Sequence, residues 1–204
     1  MGHNATEEIR AGLIHYPVKA LGPGIRVGVW VQGCDTRCKG CISAHTWNMD
    51  AVIPRTVGEV IDEILSFGCE PLRVTISGGE PFLQPEALHS LISGLRERGA
   101  DDILVYSGYL VEDIGQRFPH TLELIDALVD GPFMEGQETE SLWKGSQNQG
   151  MWINADSPHR NAYAEYKDKS KAEGCLQVVK SGGELVVVGI PRQKDVKEIM
   201  YGAG

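Results

Sequence analysis

Three of the five cysteines in this 204-residue chain fall within eight positions, as Cys34-Asp-Thr-Arg-Cys38-Lys-Gly-Cys41. Thiols this closely spaced seldom pair as disulfides and more often hold metal. Most iron–sulfur cubanes take four thiolates, so three with no evident fourth leave one iron with an exchangeable position. An open position is what lets a metal centre do chemistry rather than act as a scaffold. The same segment admits a second reading. His45 follows Cys41 at a spacing that completes C-x3-C-x2-C-x3-H, a ligand set suited to a closed structural zinc site. Cys69 and Cys175 stand alone and read as small buried hydrophobes.

The apolar pattern supplies the elements that must position this loop. Residues 25–31 (I-R-V-G-V-W-V) read as a strand that runs into the cysteines. Residues 56–67 read as a helix, with Thr56 and Glu59 spaced as a capping box and Val57, Val60, Ile61 and Leu65 as its stripe. A strand at 72–77 ends in Gly78-Gly79, and a helix at 85–98 has Pro85 in its first turn and Gly99 as its stop. A third strand at 103–107 closes on Gly108. Helical segments at 111–117 and 121–125 precede a fourth strand at 127–129, before Asp130-Gly131-Pro132. Beyond a polar stretch at 152–174, strands are expected at 176–179 and 184–190 around a Ser181-Gly182-Gly183 turn, with a closing helix at 194–201.

Strand–helix alternation of this kind implies parallel strands with crossover helices, an α/β fold. Ligands in such sheets collect at the carboxyl ends of the strands. The glycine-rich and polar signatures recur there: Cys34, Gly78-Gly79-Glu80, Ser107-Gly108-Tyr109 and Asp130-Gly131, each after its own strand.

Length and composition bound the rest. The chain suits a single domain over 1–204, with an N-terminal segment at 1–20 and a C-terminal extension at 150–204. It is 42% hydrophobic and 23% charged, with no apolar run near the ~20 residues a membrane span needs. The polar start carries no basic-then-apolar export signal, so a cytoplasmic location is expected. A net charge of −9 argues against a nucleic-acid or anionic-membrane surface and leaves protein and small-molecule partners open.

The cysteine loop together with Ser77-Gly78-Gly79-Glu80-Pro81 resembles the radical S-adenosylmethionine superfamily. Gly22-Pro-Gly-Ile-Arg26, Trp30-Val-Gln-Gly-Cys34, Tyr106-Ser-Gly-Tyr109, Asp126-Ala-Leu-Val-Asp-Gly-Pro-Phe133 and Lys144-Gly-Ser-Gln-Asn-Gln149 resemble its anaerobic ribonucleotide reductase activating branch. The resemblance covers roughly residues 20–150. It implies a partial (β/α) barrel, open on one side, in which Cys34, Cys38 and Cys41 ligate a [4Fe–4S] cluster that reductively cleaves S-adenosylmethionine. It places Gly40 and Cys41 beside the adenine, and Gly78, Gly79 and Glu80 on the methionyl end. Ser107 and Asp130 would face the ribose or carboxylate, although Asp130 equally fits a turn with Gly131. Arg26 would support the cluster loop or lie on the strand surface, and Trp47 would lid the site or sit in the core. Lys144, Ser146 and Asn148 would contact cofactor or partner, or form a solvated loop.

The implied partners are a glycyl-radical enzyme and a flavodoxin- or ferredoxin-type electron donor. Two other readings stand beside this one. One is a radical enzyme acting on a small molecule, of the 7-carboxy-7-deazaguanine synthase type. The other is a zinc-stabilised interaction module built on Cys34, Cys38, Cys41 and His45.

Overall fold

In the computed structural model, which describes residues 4–174, 176–181 and 183–192, the β-branched runs assemble into one six-stranded sheet. In chain order the elements are β1 (Glu8–Ile9), β2 (Ala11–Val18), β3 (Arg26–Val31), β4 (Arg55–Thr56), α1 (Val57–Ser66), β5 (Arg73–Gly78), α2 (Pro85–Glu97) and β6 (Asp102–Tyr106). There follow α3 (Val111–Arg117), α4 (Pro119–Leu122), β7 (Ala127–Asp130), β8 (Gly150–Ile153), α5 (Arg160–Lys167), β9 (Gln177–Ser181) and β10 (Glu184–Val188). The sheet order is β2-β3-β5-β6-β7-β8. Its four central strands are parallel, as the alternation requires. Both edge strands are antiparallel additions.

The edge strands correct the all-parallel expectation. β2 carries a glycine and a proline, which only an edge tolerates, and β8 opens what reads in sequence as a polar stretch. The helical segment expected at 121–125 is instead α4, starting at Pro119, whose fixed φ suits a first helical turn. The helix expected at 194–201 lies outside the described residues, as do Cys175 and Gly182 of the expected turn. The hairpin strands β9 and β10 pair in antiparallel register as anticipated. The Thr56 cap is formed: its hydroxyl accepts from Glu59 N–H at 3.2 Å, and the Glu59 carboxylate accepts from Thr56 N–H at 2.8 Å.

Period-two alternation gives the central strands two buried faces. Val27, Val29, Val31, Val74, Ile76, Ile103 and Val105 pack against α1 and α2 through Val60, Ile61, Ile64, Leu88, Leu91 and Leu95. Arg26, Trp30, Thr75, Asp102 and Leu104 point the other way. On that face α5 inserts Tyr163 and Tyr166 against Leu104, Ala127 and Val129. The hairpin adds Val179 and Val188 against Val18, Leu21 and Trp30.

Arg26 neither supports the cysteine loop nor lies on the surface; it is fully buried. Its guanidinium donates to Thr75 Oγ1 at 2.7 Å, Val74 O at 2.8 Å, Pro23 O at 3.1 Å and the Asp102 carboxylate at 2.5 Å. Tyr163 donates its hydroxyl to the other Asp102 oxygen at 2.6 Å and accepts from Arg26 at 3.3 Å. Tyr166 accepts Gly22 N–H at 3.1 Å. A buried ion is tolerable only when its hydrogen-bonding capacity is filled, and here α5 completes the filling.

Removing the α5 contribution to that network should therefore be felt globally. Tyr163→Phe is expected to lower unfolding free energy by about 1–3 kcal/mol, read from urea midpoints at constant m-value. Arg26→Met, which strands the Asp102 charge, should cost about 3–5 kcal/mol. Unchanged midpoints for Tyr163→Phe would mean that α5 is not part of the cooperative unit.

Candidate functional site

The carboxyl ends of β3 and β5 interlock through backbone. Gly79 donates its N–H to Val31 O at 2.8 Å, and Glu80 donates its own to Gly33 O at 2.7 Å. A Cβ on Gly79 would overlap the Gly33 carbonyl, and one on Gly78, whose φ is +106°, would sit 2.5 Å from Val31 O. The two glycines thus serve the close approach of two strand-end loops to each other. Gly33 and Cys34 in turn donate to Thr46 O at 2.8 Å and Trp47 O at 3.2 Å. Entry to and exit from the cysteine loop are held side by side.

Cys34, Cys38 and Cys41 carry free thiols, each half-buried. All three line one cavity with Gly40, Trp47, Gly78, Gly79, Glu80, Ser107 and Phe133. It encloses about 1130 Å³ of space, its solvent-open mouth included. Burial pushes the Cys38 and Cys41 thiols up, and the neighbouring cysteines add to the effect. The Phe133 backbone N–H opposes this at Cys38, and the Ser43 N–H and the Trp47 side chain oppose it at Cys41. Free of metal, such thiols keep their protons; a bound metal displaces them.

The donor set fits a cluster. All three thiols line the cavity, and each can serve a separate iron. Among the described residues, no three His, Cys, Asp or Glu side chains converge so as to hold a single metal ion.

Glu80 is 1% exposed. One carboxylate oxygen accepts from Phe82 N–H at 3.0 Å and Ser107 Oγ at 2.8 Å, and the other from Gly108 N–H at 2.7 Å. Burial pushes its carboxyl up to about 7, the three donors opposing the shift. Its side chain therefore joins the β5 end to the β6 end while lining the cavity. Ser107 stands between them, donating to Glu80 and accepting from Tyr109 N–H at 3.0 Å.

Asp130 is buried at the end of β7 and accepts Val111 N–H at 3.2 Å, so its carboxylate serves the start of α3. The Lys144–Gln149 motif is a backbone clamp. Lys144 Nζ donates to Gln147 O at 2.9 Å and Gln149 O at 3.3 Å. Ser146 Oγ accepts Met134 N–H at 3.0 Å, Asn148 donates to Pro132 O at 2.8 Å, and Gln149 to Gly131 O at 2.9 Å. Those bonds fix the 131–134 segment that brings Phe133 to the cavity. Trp47 is half-buried on the cavity wall beside Cys41.

Cys69 packs against the helix-side core, away from the cavity. Val187, Gly189, Ile190 and Pro191 complete one wall. Leu21, which belongs to no motif, also lines the cavity, as do Thr36 of the cysteine loop and Tyr106 at the end of β6.

Residues 20–152 match a family model described as a 4Fe-4S single cluster domain. An anaerobic ribonucleoside-triphosphate reductase-activating protein of Enterobacteria phage T4 is 34% identical over 141 residues, spanning 66% of this chain and 88% of the relative. The protein of that name from Escherichia coli (strain K12) is 31% identical over 144 residues, 66% of this chain and 93% of its own length. A pyruvate formate-lyase-activating enzyme of Clostridium pasteurianum is 37% identical over 110 residues, covering 52% of this chain and 46% of that enzyme. α5 and the β9–β10 hairpin lie beyond the family match. The three cysteines and the loops after β5, β6 and β7 that line the cavity thus lie within the matched region, and the chain belongs to the 4Fe-4S single cluster domain family and to the radical S-adenosylmethionine activating enzymes.

Proposed function

We propose that this enzyme cleaves S-adenosylmethionine reductively and uses the product radical to install a glycyl radical on a partner enzyme, an anaerobic ribonucleotide reductase. The observation that supports the reading best is convergence: the cysteine loop and the loops after β5, β6 and β7 all open on one cavity. Its cofactors are a [4Fe–4S] cluster and S-adenosylmethionine. When bound, the cluster supplies the electron that splits the sulfonium into methionine and a 5′-deoxyadenosyl radical.

The chain's own part is holding and shielding. Cys34, Cys38 and Cys41 would each hold one iron, leaving the fourth for the cofactor. Gly78, Gly79 and Glu80 would face its methionyl end, and a carboxylate suits its ammonium. Gly40 and Cys41 would lie beside the adenine, with Ser107 and Asp130 toward the ribose or the carboxylate. Trp30, Phe133 and Ile190 line the cavity with apolar surface and would exclude water from a reactive radical. On this reading the mixed sheet curves as an open (β/α) barrel, residues 1–204 form one domain, and a flavodoxin or ferredoxin supplies the electron in the cytoplasm. No helix among the described residues is long and apolar enough to cross a membrane.

Anaerobic purification should give a brown protein with four irons and four sulfides per chain. Cys38→Ala should lose the cluster and 5′-deoxyadenosine formation together, while Cys69→Ala keeps both. The reductase is tested by incubating it with the enzyme and cofactor and recording a glycyl-radical EPR signal. A colourless protein with one zinc per chain would overturn the proposal.

Glu80 carries a pH signature in the cluster-free protein. Its carboxyl is raised to about 7 from 4.5, so its stabilising effect is complete below about pH 4.5 and is lost as pH rises through 7. Between pH 5 and 8 the parent should lose up to about 3 kcal/mol relative to Glu80→Gln, from the shift in its pKa. Urea unfolding of both proteins at the two pH values measures this. Parallel pH profiles would remove Glu80 as the titrating group.

A further inference from the structure

We infer that Tyr109 is a positioning residue for the cysteine loop, holding it through a hydrogen bond to Asp35. This rests on the cluster reading above and adds to it a residue that acts through another. Tyr109 donates its hydroxyl to Asp35 Oδ2 at 2.7 Å, across 74 positions of sequence. Asp35 directly follows Cys34, so the bond grips the loop next to a cluster thiol.

The two ends of this bond differ in rigidity. Tyr109 is fixed on every side. Its N–H donates to Ser107 Oγ at 3.0 Å, its carbonyl accepts Gly131 N–H at 3.0 Å, and the Arg117 guanidinium lies 5.5 Å from its ring centre. Ser107 is itself held by Glu80 at 2.8 Å. Asp35, by contrast, is an exposed residue of an irregular loop. Contact continues beside the bond, since a Cβ on Gly108 would meet Thr36 Oγ1 at 3.0 Å. The loop after β6 therefore forms a fixed rail against which residues 34–36 rest.

Lys39 also reaches out of the loop, to Glu135 at 2.8 Å, but it is 88% exposed. An ion pair that open to water contributes little. The Tyr109 bond is open to water as well, but it joins the hydroxyl of a half-buried residue to a carboxylate, the stronger kind of tie. Its expected effect is on how long the loop stays closed over bound iron, more than on global folding.

The test is iron release from anaerobically reconstituted protein to a ferrous chelator, followed by absorbance. Tyr109→Phe and Asp35→Ala should each speed release roughly fivefold, the worth of one net hydrogen bond. The double variant should be no faster than either single one, because both remove the same tie. Asp35→Asn keeps an acceptor while losing the charge, and should release iron at a rate between those of the parent and Asp35→Ala. Urea midpoints of the cluster-free proteins should stay together, which a general structural role would not allow. If Tyr109→Phe destabilises the fold, Asp35→Ala still reads the bond from an exposed position. Additive rates, or an Asn variant as leaky as Ala, would overturn the inference. A parent that holds iron no longer than its variants overturns it alone, whereas a parent that takes up no iron overturns the cluster reading with it.

Discussion

The carboxylate of Glu80, buried where the ends of β5 and β6 meet, is the contact on which the geometry of the site depends. Its backbone N–H bonds the Gly33 carbonyl at the end of β3, and its side chain takes donors from Phe82, Ser107 and Gly108. Three strand ends are thereby tied at one residue. A buried carboxylate without such donors would carry a large desolvation penalty, so the three loops cannot separate cheaply. The glycines at 78 and 79 are the steric condition for this knot, because any side chain there would collide with the β3 end. The cysteine loop leaves from that end, and its position follows.

The inner face of the sheet is divided along the strands. Toward their amino ends it is filled by the Arg26–Asp102–Tyr163 network and the aromatic side chains of α5. Toward their carboxyl ends it is left open as the cavity. This division explains how a fully buried arginine persists in the fold: it occupies the half of the face that has no cavity, where every donor finds an oxygen. It also gives the segment beyond the family match a part in the architecture. α5 closes the face below the site, and the residues after β10 form one of its walls.

Several residues whose types suggest ligand binding also bond the backbone. Asp130 holds the start of α3, and the Lys144–Gln149 motif fastens the 131–134 segment. Such residues shape the cavity at one remove. They place Phe133, whose N–H and ring face the cysteine loop, and so affect the thiols without reaching them.

The cysteine spacing, the glycine pair and the strand–helix alternation pointed to a metal-binding loop, the α/β class and the rim on which the candidate site lies. These are legible because each is local: eight residues contain the thiols, and period and punctuation mark each element. Thr56 and Glu59 could be read as a capping box for the same reason. The tertiary structure alone decided the side-chain partners of Arg26, Tyr163, Asp35 and Tyr109, whose side-chain-to-side-chain bonds cross 49 to 137 positions of sequence. It also decided that Ala11–Val18 and Gly150–Ile153 complete the sheet as antiparallel edges. Edge strands need no continuous apolar run, since one side is unpaired and their sequence pattern is weak. A side chain's type shows what it can bond, but which atom it reaches depends on the strands packed beside it.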